Sequence, residues 1–292
     1  MFQRARTCHR QRLYNGGPVR HRATKIALAA VAATVAATPV AASAKTNITM
    51  SGSTSVYPLI KQLATKYVSP GSPGKGKVGF NILQGGSDTG INDAAHGRVT
   101  IGNASRAKMS SDPGGLVFNT IAYDAICIIT NKSNPLGTLD QAQVQSIFTG
   151  RTRSWSQVPG ARATGSVELV SRTATSGTAD AFRQIFLGGL QSVAASAQVK
   201  ASNGLVAQTV ASTRGAIGFV SLDFVNSSLQ TVNYQGVGCT LRNAKSGQYQ
   251  GVRPFNLITR GAPSGAAKTF INWVRTSSSA RAIINSDWIP LR

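Results

Sequence analysis

The chain has 292 residues, 41% hydrophobic and 7% aromatic, which suits one large domain or two modest ones with a proper core. Charge is lopsided, with 31 Lys+Arg against 9 Asp+Glu. The basic residues are scattered singly, without a zinc-finger, helix-turn-helix or aromatic RNA-binding motif, which argues against a nucleic-acid partner.

Residues 1–25 carry Arg4, Arg6, Arg10, Arg12, Arg20, Arg22 and Lys25 and no acid. An apolar run over 26–37 follows and ends in Ala42-Ser43-Ala44. A basic segment, a short apolar segment and small residues before a cleavage point predict a secretory signal over 1–44, cut after Ala44. An uncleaved anchor is the alternative, although the run is short and alanine-rich for a span. Removing the seven basic residues of 1–44 leaves 24 basic against 9 acidic residues, a net charge of +15. Such a chain is a surface-adhering protein, an anion binder, or simply a protein with a solvated basic surface.

Beyond residue 44 only Cys127, Cys239 and His96 remain of the cysteines and histidines. This excludes an ordinary structural zinc site. In an oxidising compartment the two cysteines either pair or stay as separate buried thiols. The stretch Ser69-Pro70-Gly71-Ser72-Pro73-Gly74-Lys75-Gly76-Lys77 reads as an exposed loop.

The remaining pattern alternates strands and helices, which predicts an α/β fold. One unit occurs three times. The first is a strand over 47–50, the turn Ser51-Gly52-Ser53-Thr54-Ser55, and a helix over 58–68 with Ile60, Leu63, Ala64 and Tyr67 on one face. The second is a strand over 78–83, Gln84-Gly85-Gly86-Ser87-Asp88-Thr89-Gly90, and a short helix ending near Gly97. The third is a strand over 167–171, Arg172-Thr173-Ala174-Thr175-Ser176-Gly177-Thr178, and a helix bearing Phe182, Ile185 and Phe186 that stops at Gly188-Gly189. The first turn of a helix offers unpaired N–H groups and a partial positive charge, so strand–turn–helix units rich in Gly, Ser and Thr are ready anion sites. One such unit is no more than an ordinary capped helix. Three in one chain, one led by an arginine, point to a shared oxyanion.

In their order and spacing these segments resemble the substrate-binding protein of phosphate ABC transporters, in the type II periplasmic-binding-protein superfamily, over essentially all of residues 46–292. The resemblance rests on Ser51-Gly52-Ser53-Thr54 with Tyr57-Pro58, on Gln84-Gly85-Gly86-Ser87 with Gly90-Ile91, on Ile101-Gly102-Asn103-Ala104-Ser105-Arg106, and on Arg172 with Ser176-Gly177-Thr178 and Phe182. Asn131-Lys132-Ser133-Asn134-Pro135, Ile147-Phe148-Thr149-Gly150 with Trp155, and Gly215-Ala216-Ile217-Gly218-Phe219 support it.

The resemblance implies a two-lobed α/β fold with two hinge crossings. Lobe I would hold 45–122 and 258–292, lobe II 123–257, and the crossings would lie near 123–128 and 254–258. A carboxy-terminal helix with Phe270, Trp273 and Val274 would return to lobe I. Phosphate would sit between the lobes on Thr54, Ser55, Ser87, Ser105, Arg172, Ser176, Gly177 and Thr178, with Arg172 forking onto two oxygens. Part of the family has an aspartate directly after the third-loop serine to accept the ligand's proton; here Arg106 stands there. Asp88 is the nearby carboxylate, either as that acceptor or as a partner of Arg106. The implied protein is a periplasmic or secreted monomer that delivers phosphate to a membrane permease, with no cofactor and no metal.

Three other readings compete. A hydrolase needs a nucleophile, a base and an orienter, but His96 sits at a predicted helix end where it reads as a cap. The ligand could instead be sulfate, molybdate or another oxyanion. A basic surface protein that binds polyanions is the third.

Overall fold

The computed structural model describes residues 16–18 and 44–291. Apart from 16–18 and Ala44, the expected signal segment lies outside the described residues. All elements fall within one unit, Ser43–Arg292.

The three expected strand–turn–helix units form. Strand β1 (Thr46–Gly52) leads to α1 (Tyr57–Tyr67), and β2 (Val78–Ile82) leads to α2 (Ser87–Ala95). After β3 (Ile101–Ala104) and the long β4 (Leu116–Asn131) come β5 (Thr138–Leu139) and α3 (Gln141–Phe148). The third unit is β6 (Glu168–Arg172) with α4 (Gly177–Phe186). Then follow β7 (Gln198–Lys200), α5 (Asn203–Ser212), β8 (Ala216–Ser221), β9 (Leu229–Tyr234), α6 (Leu241–Ser246), β10 (Val252–Arg260), α7 (Gly265–Thr276) and α8 (Ser278–Asp287). His96 is the residue after α2, and its Nδ1 lies 2.8 Å from Asn92 O, the cap position expected of it.

The sheet runs β2-β1-β3-β10-β4-β8-β6-β7, with β9 on β4 and β5 on β9. Strands within each strand–turn–helix block are parallel, as β1 with β2 and β3, and β6 with β7 and β8. Parallel pairs need crossover connections, and the helices supply them. Within the sheet of the described residues the two blocks are joined through β4 and β10, which pair antiparallel from Val252↔Ala125 to Arg260↔Leu116. Beyond Ala125, β4 turns its hydrogen bonds to β8 and β9.

Apolar burial divides at the same place. One cluster packs α1, α7 and α8 on the first block through Ile48, Met50, Ile60, Leu63, Tyr67, Ile121, Ala122, Phe255, Phe270 and Trp288. A smaller one lies under α2, with Ile91, Ala104 and Ile258. The other large cluster begins at Ala125 and fills the second block with Phe148, Trp155, Phe182, Phe186, Phe219 and Tyr249. Phe182 stacks on Phe219 with ring centroids 4.0 Å apart. Ile60, Leu63, Ala64 and Tyr67 are buried as their spacing predicts, and so are Phe182 and Phe186, with Ile185 partly covered. Each fully buried side chain of this size contributes about 1.5–3 kcal/mol.

Cys127 and Cys239 form a disulfide inside the second cluster, which resolves the alternative left open by the sequence.

Candidate functional site

Where the two blocks meet, the apolar clusters give way to buried polar side chains. The turn after β1 contributes Ser53, Thr54 and Ser55, all at most 5% exposed. The turn after β2 contributes Ser87, and the end of β3 contributes Ser105, both fully buried. From the second block come Arg172 at the end of β6 and Ser176, Gly177 and Thr178 at the start of α4. All eight sequence-predicted ligand residues other than Asp88 are therefore buried at one junction.

Contacts within it are short. Ser53 Oγ donates to Ser105 Oγ at 2.8 Å, and Ser87 Oγ accepts from Ser105 N at 3.0 Å. Across the junction, Ser55 Oγ and Thr178 Oγ1 are 3.0 Å apart, and Arg172 Nη2 donates to Thr54 Oγ1 at 3.1 Å. Gly177 abuts Ser87 so closely that a Cβ there would overlap the Ser87 hydroxyl; only glycine lets the two turns meet. Gly86, before α2, has φ +96°, a conformation that glycine takes without strain, and backs onto Thr175 O. Ser176 caps α4 by accepting from Ala179 N at 3.3 Å. Its hydroxyl thus has the ordinary capping role as well.

Arg172 is the residue with the clearest unmet need. Its Nε and Nη2 donate to the carbonyls of Lys200 and Ala201 at 3.2 and 3.1 Å. Its Nη1 is buried without a hydrogen-bond partner. Burial, and then the like charge of Arg253, pull the guanidinium down to about 10. An anion beside the guanidinium would offset both effects.

Four residues at the junction escaped the sequence reading. Arg253 on β10 is 2% exposed and donates to Ser55 Oγ at 2.9 Å and to Ser105 O and Oγ at 3.1 and 3.2 Å. Asp124, opposite it on β4, accepts from Arg253 Nη2 at 2.8 Å and from Ser221 Oγ at 2.8 Å. Burial raises the Asp124 carboxyl above its ordinary value, against the opposing pull of Arg253. Asn203, the first residue of α5, reaches Thr54 Oγ1 and Ser55 Oγ. Two guanidinium groups and one carboxylate leave the junction one positive charge in excess. Lone charges inside apolar strand runs, Tyr123-Asp124-Ala125-Ile126 and Val252-Arg253-Pro254-Phe255, are the signal that was readable. Asn203 and Ser221 carried none.

Asp88 is placed differently from the acceptor role considered for it. Its carboxylate accepts from Arg106 Nη2 at 2.8 Å. Arg106 also binds Asp112 at 2.6 Å, and its Nε lies 3.1 Å from Asp180 Oδ2 on α4, an ion contact poorly angled for a hydrogen bond. This group joins the two blocks beside the hydroxyl cluster. Burial, then Asp88, raises the Asp180 carboxyl. A groove of about 640 Å³, lined among others by Arg106, Met109, Asp180 and Arg183, lies alongside, and Arg253 is common to groove and cluster. The groove has an unpartnered donor of its own in Arg106 Nε, but that guanidinium is surrounded by three carboxylates, whereas Arg172 Nη1 faces the hydroxyl cluster with no carboxylate beside it. Among the described residues no group of three or more His, Cys, Asp or Glu could hold a metal, and no helix is long and apolar enough to cross a membrane.

Two α/β lobes joined by paired crossing strands, with a buried polar cluster at the crossing, define a two-lobed ligand-binding protein of the type II periplasmic-binding architecture. The chain belongs to this superfamily: the family model described as PBP superfamily domain matches residues 37–278. It is 25% identical over 250 residues to the phosphate-binding protein PstS of Bacillus subtilis, covering 84% of this chain and 81% of that one. Among solved structures it is similar to a Clostridium perfringens protein described as a phosphate ABC transporter substrate-binding protein with bound phosphate. That match has 31% identity and a TM-score of 0.78, and covers 84% of this chain and all of the other. An ABC-type phosphate transport receptor of Vibrio cholerae matches at 28% identity and TM-score 0.67, with the same coverage.

Proposed function

We propose that this chain is an exported solute-binding protein that captures inorganic phosphate between its lobes and delivers it to an ABC-type membrane transporter. The observation that carries the reading is Arg172 Nη1, a buried donor without a partner, set among hydroxyls contributed by both lobes. A guanidinium so placed calls for an acceptor with several oxygens, and a tetrahedral oxyanion supplies it. The phosphate-bound Clostridium perfringens structure supports the choice of ion. In this reading Thr54, Ser55, Ser87, Ser105, Arg172, Ser176, Gly177 and Thr178 form the site. The lobes exchange at Tyr123–Asp124 on β4 and at Arg253–Pro254 on β10, since Phe255 already packs in the first cluster and Val252 in the second. That puts the second crossing slightly earlier in the chain than the resemblance implies. Export rests on the 1–44 segment, and an intact mass beginning at Lys45 tests it.

Calorimetry of phosphate with wild type and variants is the direct test. A hydrogen bond to a charged group is worth ~1.5–3 kcal/mol, and an unpaired buried charge adds a further penalty. Arg172→Ala is therefore expected to weaken phosphate at least about a hundredfold, since ~1.4 kcal/mol is tenfold. Ser87→Ala is expected to cost less. Equal, small effects of both, or tighter binding of sulfate or molybdate than of phosphate, would overturn the reading.

A further inference from the structure

Scattered singly along the chain, the basic residues of the first block gather in space. Residues 45–87 carry Lys45, Lys61, Lys66, Lys75 and Lys77 and no acid. Residues 261–286 carry Lys268, Arg275 and Arg281 and again no acid. All of these residues are exposed. The two segments supply α1, α7 and α8, which share one apolar cluster on one side of the sheet. The loop over 69–77 belongs to the same surface. Gly74 N donates to Tyr67 O at 3.1 Å, and the Tyr67 ring lies 5.1 Å from that of Trp273 on α7. Lys61 and Lys66 of α1 line one shallow depression with Ile283 of α8, and Lys61 lines another with Lys45 and Tyr57. The result is one continuous basic face.

The acids of the first block stand elsewhere. Leu257 and Ile258 are neighbours on β10 and so point to opposite faces of the sheet; Leu257 joins the cluster of α1, α7 and α8, and Ile258 the one under α2. Asp88 and Asp93 are on α2, bound to Arg106 and Arg98, and Asp112 is bound to Arg106 as well. Asp287 closes α8 within electrostatic reach of Asp223 in the second block. The first block is therefore polarised across its sheet, with paired charges on one side and unopposed cations on the other.

We infer that the face built by α1, α7, α8 and the 69–77 loop is a docking surface for the anionic phospholipid headgroups of a membrane. A field of like charges spread over separate elements, with helices roughly 16–18 Å long, matches a plane of headgroups. A single linear polyanion is instead tracked along a groove. The exposed large apolar side chains among the described residues, such as Leu83, Leu190 and Val199, lie off these helices and this loop, so the face lacks the apolar centre of a protein interface. Its lysines meet phosphate oxygens as mobile point charges. Thr46 pairs with Val78, so Lys45 and Lys77 stand where the parallel strands β1 and β2 begin, whereas the hydroxyl turns follow their ends. The face is thus free to be occupied while the lobes open and close. Confinement to the membrane raises the effective concentration of such a protein at a membrane transporter. The docking itself does not depend on which ion the cleft takes.

The test is partition of the secreted protein onto vesicles of about one part phosphatidylglycerol to two parts phosphatidylcholine, read by co-sedimentation in saturating inorganic phosphate. One variant, Lys66→Gln with Lys75→Gln and Arg275→Gln, removes three charges from the face. A second, Arg162→Gln with Arg214→Gln and Arg242→Gln, removes the same charge from exposed positions of the second block. All three proteins share one amino terminus, so residues 1–44 do not enter the comparison. Each charge lost from a docked basic surface weakens partition about fivefold, so the first variant is expected to bind about a hundredfold more weakly and the second within about threefold of wild type. Wild-type binding is expected to fall steeply between about 50 mM and about 200 mM salt, and to vanish on phosphatidylcholine alone. Equal losses in the two variants would make adhesion a matter of net charge and overturn the inference. So would a wild type that ignores the anionic vesicles, or one that binds phosphatidylcholine alone equally well. Tighter binding of soluble long-chain polyphosphate than of the vesicles at equal phosphate content would assign the face to a polymer and overturn it too. Both variants are expected to bind inorganic phosphate as wild type does, which shows that they are folded. Absence of phosphate binding by all three proteins would sink the phosphate reading and leave the vesicle result to stand on its own.

Discussion

Arg172 and Arg253 lie in one buried site with a single carboxylate, Asp124, between them and neutrality. That excess is what the serine and threonine turns alone do not create: hydroxyls and helix termini bind anions weakly, and a desolvated guanidinium strongly. Asp88 bears on discrimination between anions. With its carboxylate held by Arg106, Asp88→Asn is expected to leave the ratio of phosphate to sulfate affinity unchanged. Sulfate competition on both proteins checks this, and a ratio that moves tenfold toward sulfate would restore Asp88 as the acceptor of the ligand's proton. The buried hydroxyls were legible because Ser, Thr and Gly crowd the strand–helix turns. Arg172 was legible because it leads one of them. Arg253 and Asp124 left a weaker signal, each a lone charge in an apolar strand run, and it takes the pairing of β4 with β10 to bring them together. Asn203 looks like any residue opening a helix; its role depends on a turn 149 positions away in the sequence.

The elements were read from periodicity and turn chemistry, and where those signals are strong the structure agrees to within a few residues. The first helix begins one residue earlier than expected and the third follows Ser176 directly. The second crossing strand was less legible. β10 runs from Val252 to Arg260 out of one core and into the other, and the passage is marked by a register shift against β4 between Phe255 and Asn256, which the local sequence does not announce. A short turn, Leu222–Phe224, links β8 to β9 and carries a pH-sensitive group. Burial, then Asp124 and Asp287, raise the Asp223 carboxyl to about 6. A folded value above the unfolded one means that the folded state holds the proton more tightly. The associated stability is present below the ordinary carboxylate range and is lost as pH rises through about 6. Asp223→Asn is therefore expected to raise the melting temperature near neutral pH and to leave it unchanged at about pH 4. Partial exposure of the group limits the gain to the order of 1 kcal/mol. A variant less stable than wild type near neutral pH would show that Asp223 makes a favourable ionised contact instead.

At the scale of the whole molecule, what joins the lobes differs in kind from what builds them. Each lobe has its own apolar cluster, and the disulfide lies wholly within the second. The contacts between their turns are polar, while Ile289 of the carboxy-terminal segment packs against the second cluster near the crossing. Thr175 Oγ1 donates to Gly85 O at 3.1 Å, and Asp88 N donates to Thr175 O at 3.1 Å. Arg172 and Asn203 reach Thr54, and Arg106 meets Asp180. Polar contacts exchange with water at a net of only about 0.5–1.5 kcal/mol each, so opening at the β4–β10 crossing forfeits little, whereas opening either core would be costly. A ligand held by both lobes binds the closed form preferentially and shifts its population. Small-angle scattering is therefore expected to show the wild-type protein contracting when phosphate is added. Arg172→Ala is expected to stay extended at phosphate concentrations that saturate the wild type. Tight wild-type binding with no change in dimensions would mean that closure is built into the chain rather than driven by its ligand.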